Sequence, residues 1–326
     1  MSEHTPAHSP AAPASLGPAH RKVGVVGAGG VGTAICYAAL IRGVAREVAL
    51  YDIDEPKVRA EVLDLAHGTP FTSASAMTGG ADPDVLAGCE VVVITAGAKQ
   101  KPGQTRLDLG AHNVEILRGL LPQVQAHAPE ALIVHGIGDE HDQRLTGLPA
   151  GRVIGSGTLL DTSRLRWLLA SRAQVHPSSV HAAILGEHGD TEFPAWSSAR
   201  IGPTPILEWP TPVDPLFTRA DLDEVADTVV HAAYEVIQGK GATTYAVGVA
   251  TTRLLEAILR DQHAILPVST VLDGVHGLSD VALSMPSVVG RDGVTRVIQP
   301  ELDDAEMRAL HASADALRRE ARSLGF

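Results

Sequence analysis

From Lys22 to Ile154, short runs of β-branched and apolar residues alternate with longer stretches whose apolar positions recur at helical spacing. That alternation predicts a parallel sheet covered by helices. The predicted strands are Val23 to Val26, Val48 to Ile53, Val91 to Thr95, Leu132 to Val134 and Val153 to Ile154, apolar on both faces as a doubly covered sheet requires. Thr33 to Arg42 reads as a helix after the first strand. Beyond Asp161 the pattern changes to a helix over Ser163 to Ala170, a strand over Ser179 to Leu185, a proline-rich stretch from Pro203 to Pro215, and helices over 221–239 and 242–261. Short strands around Ile265 to Leu272 and Val281 to Val289 precede a closing helix. Its Met307, Leu310, Leu317 and Leu324 recur at helical spacing, a stripe expected in the core. The predicted fold class is α/β, a doubly wound parallel sheet followed by an α+β domain. Residues 1–20 are expected to be a disordered tail, 21–157 a nucleotide-binding domain and 158–326 a catalytic and substrate domain.

Charge narrows the functional classes. Among 326 residues, 26 Lys and Arg face 38 Asp and Glu, a formal net charge of −12, with no long basic run. Phosphate-backbone binders need a basic field, so nucleic acid is excluded as a partner. No apolar stretch approaches the roughly 20 residues of a membrane span. The amino end, rich in Pro, Ala, Ser and His, lacks the apolar block of an export signal. Cys36 and Cys89 lie inside apolar segments and match neither a disulfide framework nor a metal spacing, which suits buried thiols in a cytoplasmic protein.

The segment from Val23 to Gly32 places Gly27, Gly29 and Gly32 in Gly-x-Gly-x-x-Gly spacing, directly after a strand and opening a helix. The first glycine permits the tight turn, and the second lets backbone approach a pyrophosphate. The third lets helix and strand pack closely. Asp52 ends the next strand about 20 residues past the last glycine, where a carboxylate accepts from ribose hydroxyls and repels a 2′-phosphate. The first domain is therefore expected to be Rossmann-type, with NAD rather than NADP as cofactor.

Three further segments carry chemistry: Thr95-Ala-Gly-Ala-Lys-Gln-Lys-Pro-Gly-Gln-Thr-Arg-Leu-Asp-Leu109, Gly155-Ser-Gly-Thr-Leu-Leu-Asp-Thr-Ser-Arg164 and Leu185-Gly-Glu-His-Gly-Asp-Thr-Glu-Phe-Pro194. Together with Val62 to Gly68 and Lys240-Gly-Ala-Thr243, they resemble the L-lactate dehydrogenases of the lactate and malate dehydrogenase family over nearly all of residues 22–324. The resemblance implies NAD-dependent interconversion of lactate and pyruvate, with His188 as proton donor, Asp161 as its carboxylate partner and Arg106 polarising the carbonyl. It implies substrate contacts at Gln100, Arg106, Arg164 and Thr243, and adds Val31, Lys57, Gly97 and Ala98 to the cofactor contacts. Elementary chemistry agrees. A histidine held by a carboxylate is a proton donor near neutral pH, and arginine offers a carboxylate the planar fork that lysine lacks. Taken alone, His188 reads as an ordinary loop histidine and Thr243 as a helix cap. Arg106 lies in the Gly- and Pro-containing segment 97–108, which looks like a closing lid. Malate dehydrogenases carry arginine where this chain has Gln100, and a neutral residue there suits pyruvate's methyl group.

One segment departs from the family. Relatives follow the fourth strand with an Asn-Pro-Val-Asp turn, whereas this chain reads Leu132-Ile-Val-His-Gly-Ile-Gly-Asp-Glu-His-Asp-Gln143, with Gly138 where the asparagine should fall. Losing one such preorganised contact lowers turnover by about 10²–10³, so the alternative is an NADH-binding homologue of weak or no turnover; malate dehydrogenase is a third reading. His135, Asp139 and His141 could be read as metal ligands, but a charged, glycine-containing turn is usually a solvated loop, and no metal is expected. The resemblance also points to a homotetramer and to fructose 1,6-bisphosphate as an effector at Arg166 and His181, activating more strongly at acid pH.

Overall fold

The computed structural model describes residues 21–72, 75–97, 106–135 and 140–325; the side chains of 106–109 and 140–142 are outside that description. The first half runs β1 (Lys22–Val26), α1 (Gly30–Arg42), β2 (Glu47–Tyr51), α2 (Glu55–Gly68), β3 (Ala76–Gly80), β4 (Val91–Ile94), α3 (Arg106–His127), β5 (Leu132–His135), α4 (Glu140–Thr146) and β6 (Val153–Gly155). The second runs α5 (Leu159–Ala173), β7 (Val180–His181), β8 (Ile184–Leu185), β9 (Phe193–Pro194), β10 (Arg200–Ile201), β11 (Thr204–Pro205), α6 (Arg219–Lys240), α7 (Tyr245–Leu259), β12 (Ala264–Val271), β13 (Ala282–Gly290), β14 (Gly293–Val297) and α8 (Asp304–Ser323). Among the described residues, no helix is long and apolar enough to cross a membrane.

One sheet spans both halves, in the order β14-β13-β12-β6-β5-β4-β1-β2-β3. β1 to β6 pair in parallel, and β12 joins β6 antiparallel through Ser269 opposite Gly155. The strand order reverses between β1 and β4, and the carboxyl ends beside that reversal are where a doubly wound sheet binds ligands. Val23, Val25, Val48, Leu50, Val91 and Val93 are fully buried, and their apolar cluster extends into α7 through Leu254, Leu255 and Ile258. Gly248 of α7 sits so close to α1 that a Cβ would lie 2.8 Å from the Ala34 backbone. Arg42 clamps the buried Glu256 with two hydrogen bonds of 2.9 and 2.7 Å.

The predicted strands β1, β2, β4, β5 and β6 all form, with ends moved by one or two residues. β2 stops at Tyr51 rather than Ile53 because the Asp52 carboxylate accepts from the Asp54 N–H and turns the chain. The single strand expected over Ser179 to Leu185 is two. Val180 and His181 pair with β10, Ile184 and Leu185 pair with β9, and between them the Ala182 carbonyl accepts from Arg166 while Ala183 accepts from the Ala195 N–H. β3, β14 and the helix α4, at 140–146, were not anticipated from the pattern. In α8, Leu310 is fully buried, with Met307 and Leu317 packed beside it against Leu185, Phe193 and Leu283. Both cysteines are free and buried, and burial pushes both thiols up, Cys89 to about 12. The expected tail, 1–20, lies outside the described residues.

Candidate active site

The cofactor end is built by backbone. Gly27 follows β1 at φ +105°, in the region that favours glycine, and its N–H donates to the Tyr51 carbonyl at 2.8 Å. Gly32 is buried so tightly that a Cβ would stand 1.9 Å from the Gly27 carbonyl oxygen. A Cβ on Gly29 would meet nothing within 4 Å, so the second glycine faces open space where a ligand can come against the chain. α1 starts with no side-chain cap and no acid in its first turn, while α6 and α8 each carry a capping box. Its leading N–H groups are left to an anion. Asp52 lies beside the turn, its Oδ2 accepting from the Ala28 N–H at 2.6 Å, with Lys57 Nζ at 3.9 Å. Thr95 Oγ1 donates to the Val26 carbonyl at 2.9 Å and ties the end of β4, before the exposed Gly97, to the same turn. An opening at the middle glycine and an oriented carboxylate fit the pyrophosphate and ribose of a dinucleotide.

The chemical end is built by charge. Gly157, at φ +49°, packs so closely that a Cβ would lie 2.1 Å from Ser284 Oγ, and the Thr158 hydroxyl donates to the Ile184 carbonyl at 2.6 Å. These contacts set the start of α5, whose first turn holds Asp161, only 1% exposed. Its two oxygens are shared. Oδ2 lies 2.8 Å from His188 Nδ1, and Oδ1 accepts from Arg164 Nη1 at 2.6 Å. His188 stands between β8 and β9 on a loop fixed by Gly186 paired with Ser284 and by the Glu187 N–H donating to Ser313 Oγ at 2.7 Å. The Asp161 hydrogen bond, then Glu192, raise the His188 pKa against the opposing effect of burial, up to about 10. With Nδ1 turned inward and the side chain 40% exposed, Nε2 is the nitrogen left for a substrate.

His188 and Arg164 line a cavity of about 260 Å³ together with Ser156, Ile237, Thr243 and Val247. The cofactor end adjoins it at the α6–α7 corner: a Cβ on Gly30 would lie 3.2 Å from Thr244 Cγ2, one residue past Thr243. The fold thus brings His188, Asp161, Arg164 and Thr243 together, and separately groups Gly27, Gly29, Gly32, Asp52 and Lys57, with Val31 in the first turn of α1. Ala98, Gln100, Gly138 and Asp139 lie outside the described residues, as do the side chains of Arg106 and His141; Arg106 itself opens α3. Arg166 donates through Nε to Ala182 at 2.8 Å, beside the strand carrying the exposed His181, which pairs across with Arg200. Sequence reasoning did not single out Glu192, whose carboxylate stands 3.7 Å from His188 Nδ1. The available signal was a carboxylate four residues beyond the histidine in a segment already noted. Ser156, Ile237 and Val247 gave no signal, since small and apolar wall residues look like core.

Comparison with known proteins bears on the same two ends. The model of the lactate/malate dehydrogenase NAD binding domain matches residues 21–136, and that of the lactate/malate dehydrogenase alpha/beta C-terminal domain matches 158–324. An L-lactate dehydrogenase of Bifidobacterium animalis subsp. lactis is 44% identical over 312 residues, 94% of this chain and 97% of that protein. One from a Synechococcus species is 45% identical over 302 residues, covering 91% of this chain and 97% of its own. Among solved structures, the minor L-lactate dehydrogenase of Enterococcus mundtii, in a ligand-bound form, superposes with a TM-score of 0.89 at 39% identity, covering 93% of this chain and 98% of that one.

Proposed function

The chain belongs to the lactate/malate dehydrogenase family, and from that membership we propose that it is an NAD-dependent L-lactate dehydrogenase, interconverting (S)-lactate and pyruvate. The observation that carries the proposal is the His188–Asp161 pair at 2.8 Å, facing a small cavity that Arg164 also lines. In pyruvate reduction, His188 gives the proton at Nε2 to the keto oxygen; in lactate oxidation it takes the hydroxyl proton back. Asp161 accepts from Nδ1–H, which fixes the ring and favours the imidazolium. Arg164 spends one Nη on Asp161 and keeps its remaining donors for the substrate carboxylate. Bound NADH supplies the hydride. Gly27, Gly29, Gly32 and Asp52 hold its pyrophosphate and ribose in this reading. Gln100, Arg106 and Thr243 complete the substrate contacts, and residues 21–157 and 158–326 form the dinucleotide and substrate domains. Steady-state NADH oxidation with pyruvate and with oxaloacetate tests the assignment. Preference for pyruvate is expected; preference for oxaloacetate makes the chain a malate dehydrogenase, and NADH binding without turnover makes it a non-catalytic homologue.

Two finer readings accompany this one. Arg166 and His181 take a fructose 1,6-bisphosphate phosphate group, supported by their adjacency and by Arg200 across the strand pair. Pyruvate saturation curves that coincide with and without millimolar effector would reject it. A homo-oligomer is supported by the apolar surface of Tyr37, Ile41, Tyr245 and Val249, each about half exposed or more around a cavity of about 610 Å³. Sedimentation equilibrium reads the mass.

A further inference from the structure

Among the described residues, the buried carboxylates are fully hydrogen-bonded with one partial exception. Glu256 meets Arg42, Glu306 accepts from the Ser197 and Asp303 N–H groups, and Asp161 meets His188 and Arg164. Glu192 differs. Its side chain is 4% exposed, and its Oε2 has no hydrogen-bond partner although it lies 3.7 Å from His188 Nδ1. A carboxylate so buried, ion-paired with His188 through an oxygen that makes no hydrogen bond, acts on the imidazole through its charge. The other acids of the loop are engaged elsewhere: Glu187 accepts from the Thr191 hydroxyl, and Asp190 from Tyr234 on α6 at 3.0 Å. Among the described residues, the charged groups facing His188 are therefore Asp161 and Arg164 from α5 and Glu192 from its own loop. The other described walls of the cavity, from α6 and α7, contribute none.

Resting on the lactate dehydrogenase reading, we propose that Glu192 is a positioning residue that acts with Asp161 to keep His188 protonated, and so favours at neutral pH the enzyme form that reduces pyruvate. With His188 protonated, Asp161, Glu192, His188 and Arg164 sum to zero charge, and the pyruvate carboxylate and Arg106 of the proposed site add one charge of each sign. Once the proton has passed to the keto oxygen, two carboxylates face one guanidinium, and the excess negative charge favours return of a proton to the imidazole. Lactate oxidation needs the neutral ring, which this arrangement makes scarce. Burial raises the Glu192 pKa as well, in keeping with a cluster that binds its protons tightly.

The test is the pH dependence of kcat/KM in both directions for wild type, Glu192→Gln and Glu192→Asp. An opposite charge within about 4–6 Å shifts a titration by about 1–3 pH units. Glu192→Gln is therefore expected to lower both the alkaline limb of pyruvate reduction and the acid limb of lactate oxidation by about one unit or more. Glu192→Asp, which keeps the charge at shorter reach, should recover part of the displacement. Limbs that stay at their wild-type positions in Glu192→Gln overturn the proposal, as does a uniform loss of kcat without displacement, which would mark a packing role. Should the amide fail to fold, Glu192→Met, apolar and of similar length, replaces it. NMR titration of the His188 ring in wild type and variant reads the same shift without turnover. A chain that reduces no pyruvate would sink the functional reading while leaving the hold of Glu192 on His188 decidable.

Discussion

The glycine turn after β1 and the loop between β8 and β9, proposed to meet the cofactor and the substrate, are held by opposite means. The turn at 27–32 is a matter of room. Gly32 and Gly27 are pressed against backbone and Thr95, Gly29 opens outward, and one carboxylate, Asp52, stands beside them. The loop at 186–192 is a matter of charge, with three acids and a histidine in seven residues and a fourth acid, Asp161, brought in from α5. Shape suffices where a large cofactor is recognised over many contacts. Where a proton moves, the environment must favour one charge state over another, and neighbouring carboxylates do that at short range.

Substitution at each end should separate binding from chemistry. The largest effect is expected from His188→Gln, which removes the proposed proton donor and should lower kcat by about 10²–10⁴ while NADH binding, read by fluorescence titration, persists. Next is Arg164→Lys. A point charge cannot reproduce the fork, so kcat/KM for pyruvate should fall by about 10²-fold, mostly through KM, if a buried charge pair costs roughly 2–5 kcal/mol when truncated. Asp52→Ser removes a charged acceptor and should weaken NADH by about tenfold or more while improving NADPH relative to NADH, as competitive titrations would show. The smallest effect sharpens the comparison within the turn itself. Gly32→Ala forces a Cβ against the Gly27 carbonyl and should cost about 1–3 kcal/mol of stability, read as a lower Tm, whereas Gly29→Ala should leave Tm unchanged and weaken NADH only. Equal losses of Tm would break the distinction.

The same contrast explains what the sequence disclosed. The glycine spacing and the acid after the second strand are local, so Gly27, Gly29, Gly32 and Asp52 were legible without the fold. Asp161 and His188 are 27 residues apart, and their meeting depends on the turn at Gly157 and the anchoring of the β8–β9 loop by Ser284 and Ser313. Only resemblance to a known family joined them in advance. In the sheet, the central strands announced themselves because both faces are buried, whereas the two strands missed, β3 and β14, are its two edges. β3 buries only Met77 of its five residues, and β14 buries only Gly293, so neither shows the apolar run that marks a covered strand. Glu192 was hidden for another reason: nothing in a chain of letters tells a solvated glutamate from one turned inward.

The passage of one sheet through both halves bears on modularity. A chain cut near residue 157 would leave the β6 edge without β12, strip Glu256 from Arg42 and bare the side of α1 against which Gly248 packs. An exposed sheet edge beside an uncovered apolar helix invites association between copies. The dinucleotide half is thus a poor candidate for transplantation as a free-standing cassette, and grafts that exchange substrate loops while keeping the β12–β14 hairpins and α7 in place should remain soluble where half-chains aggregate.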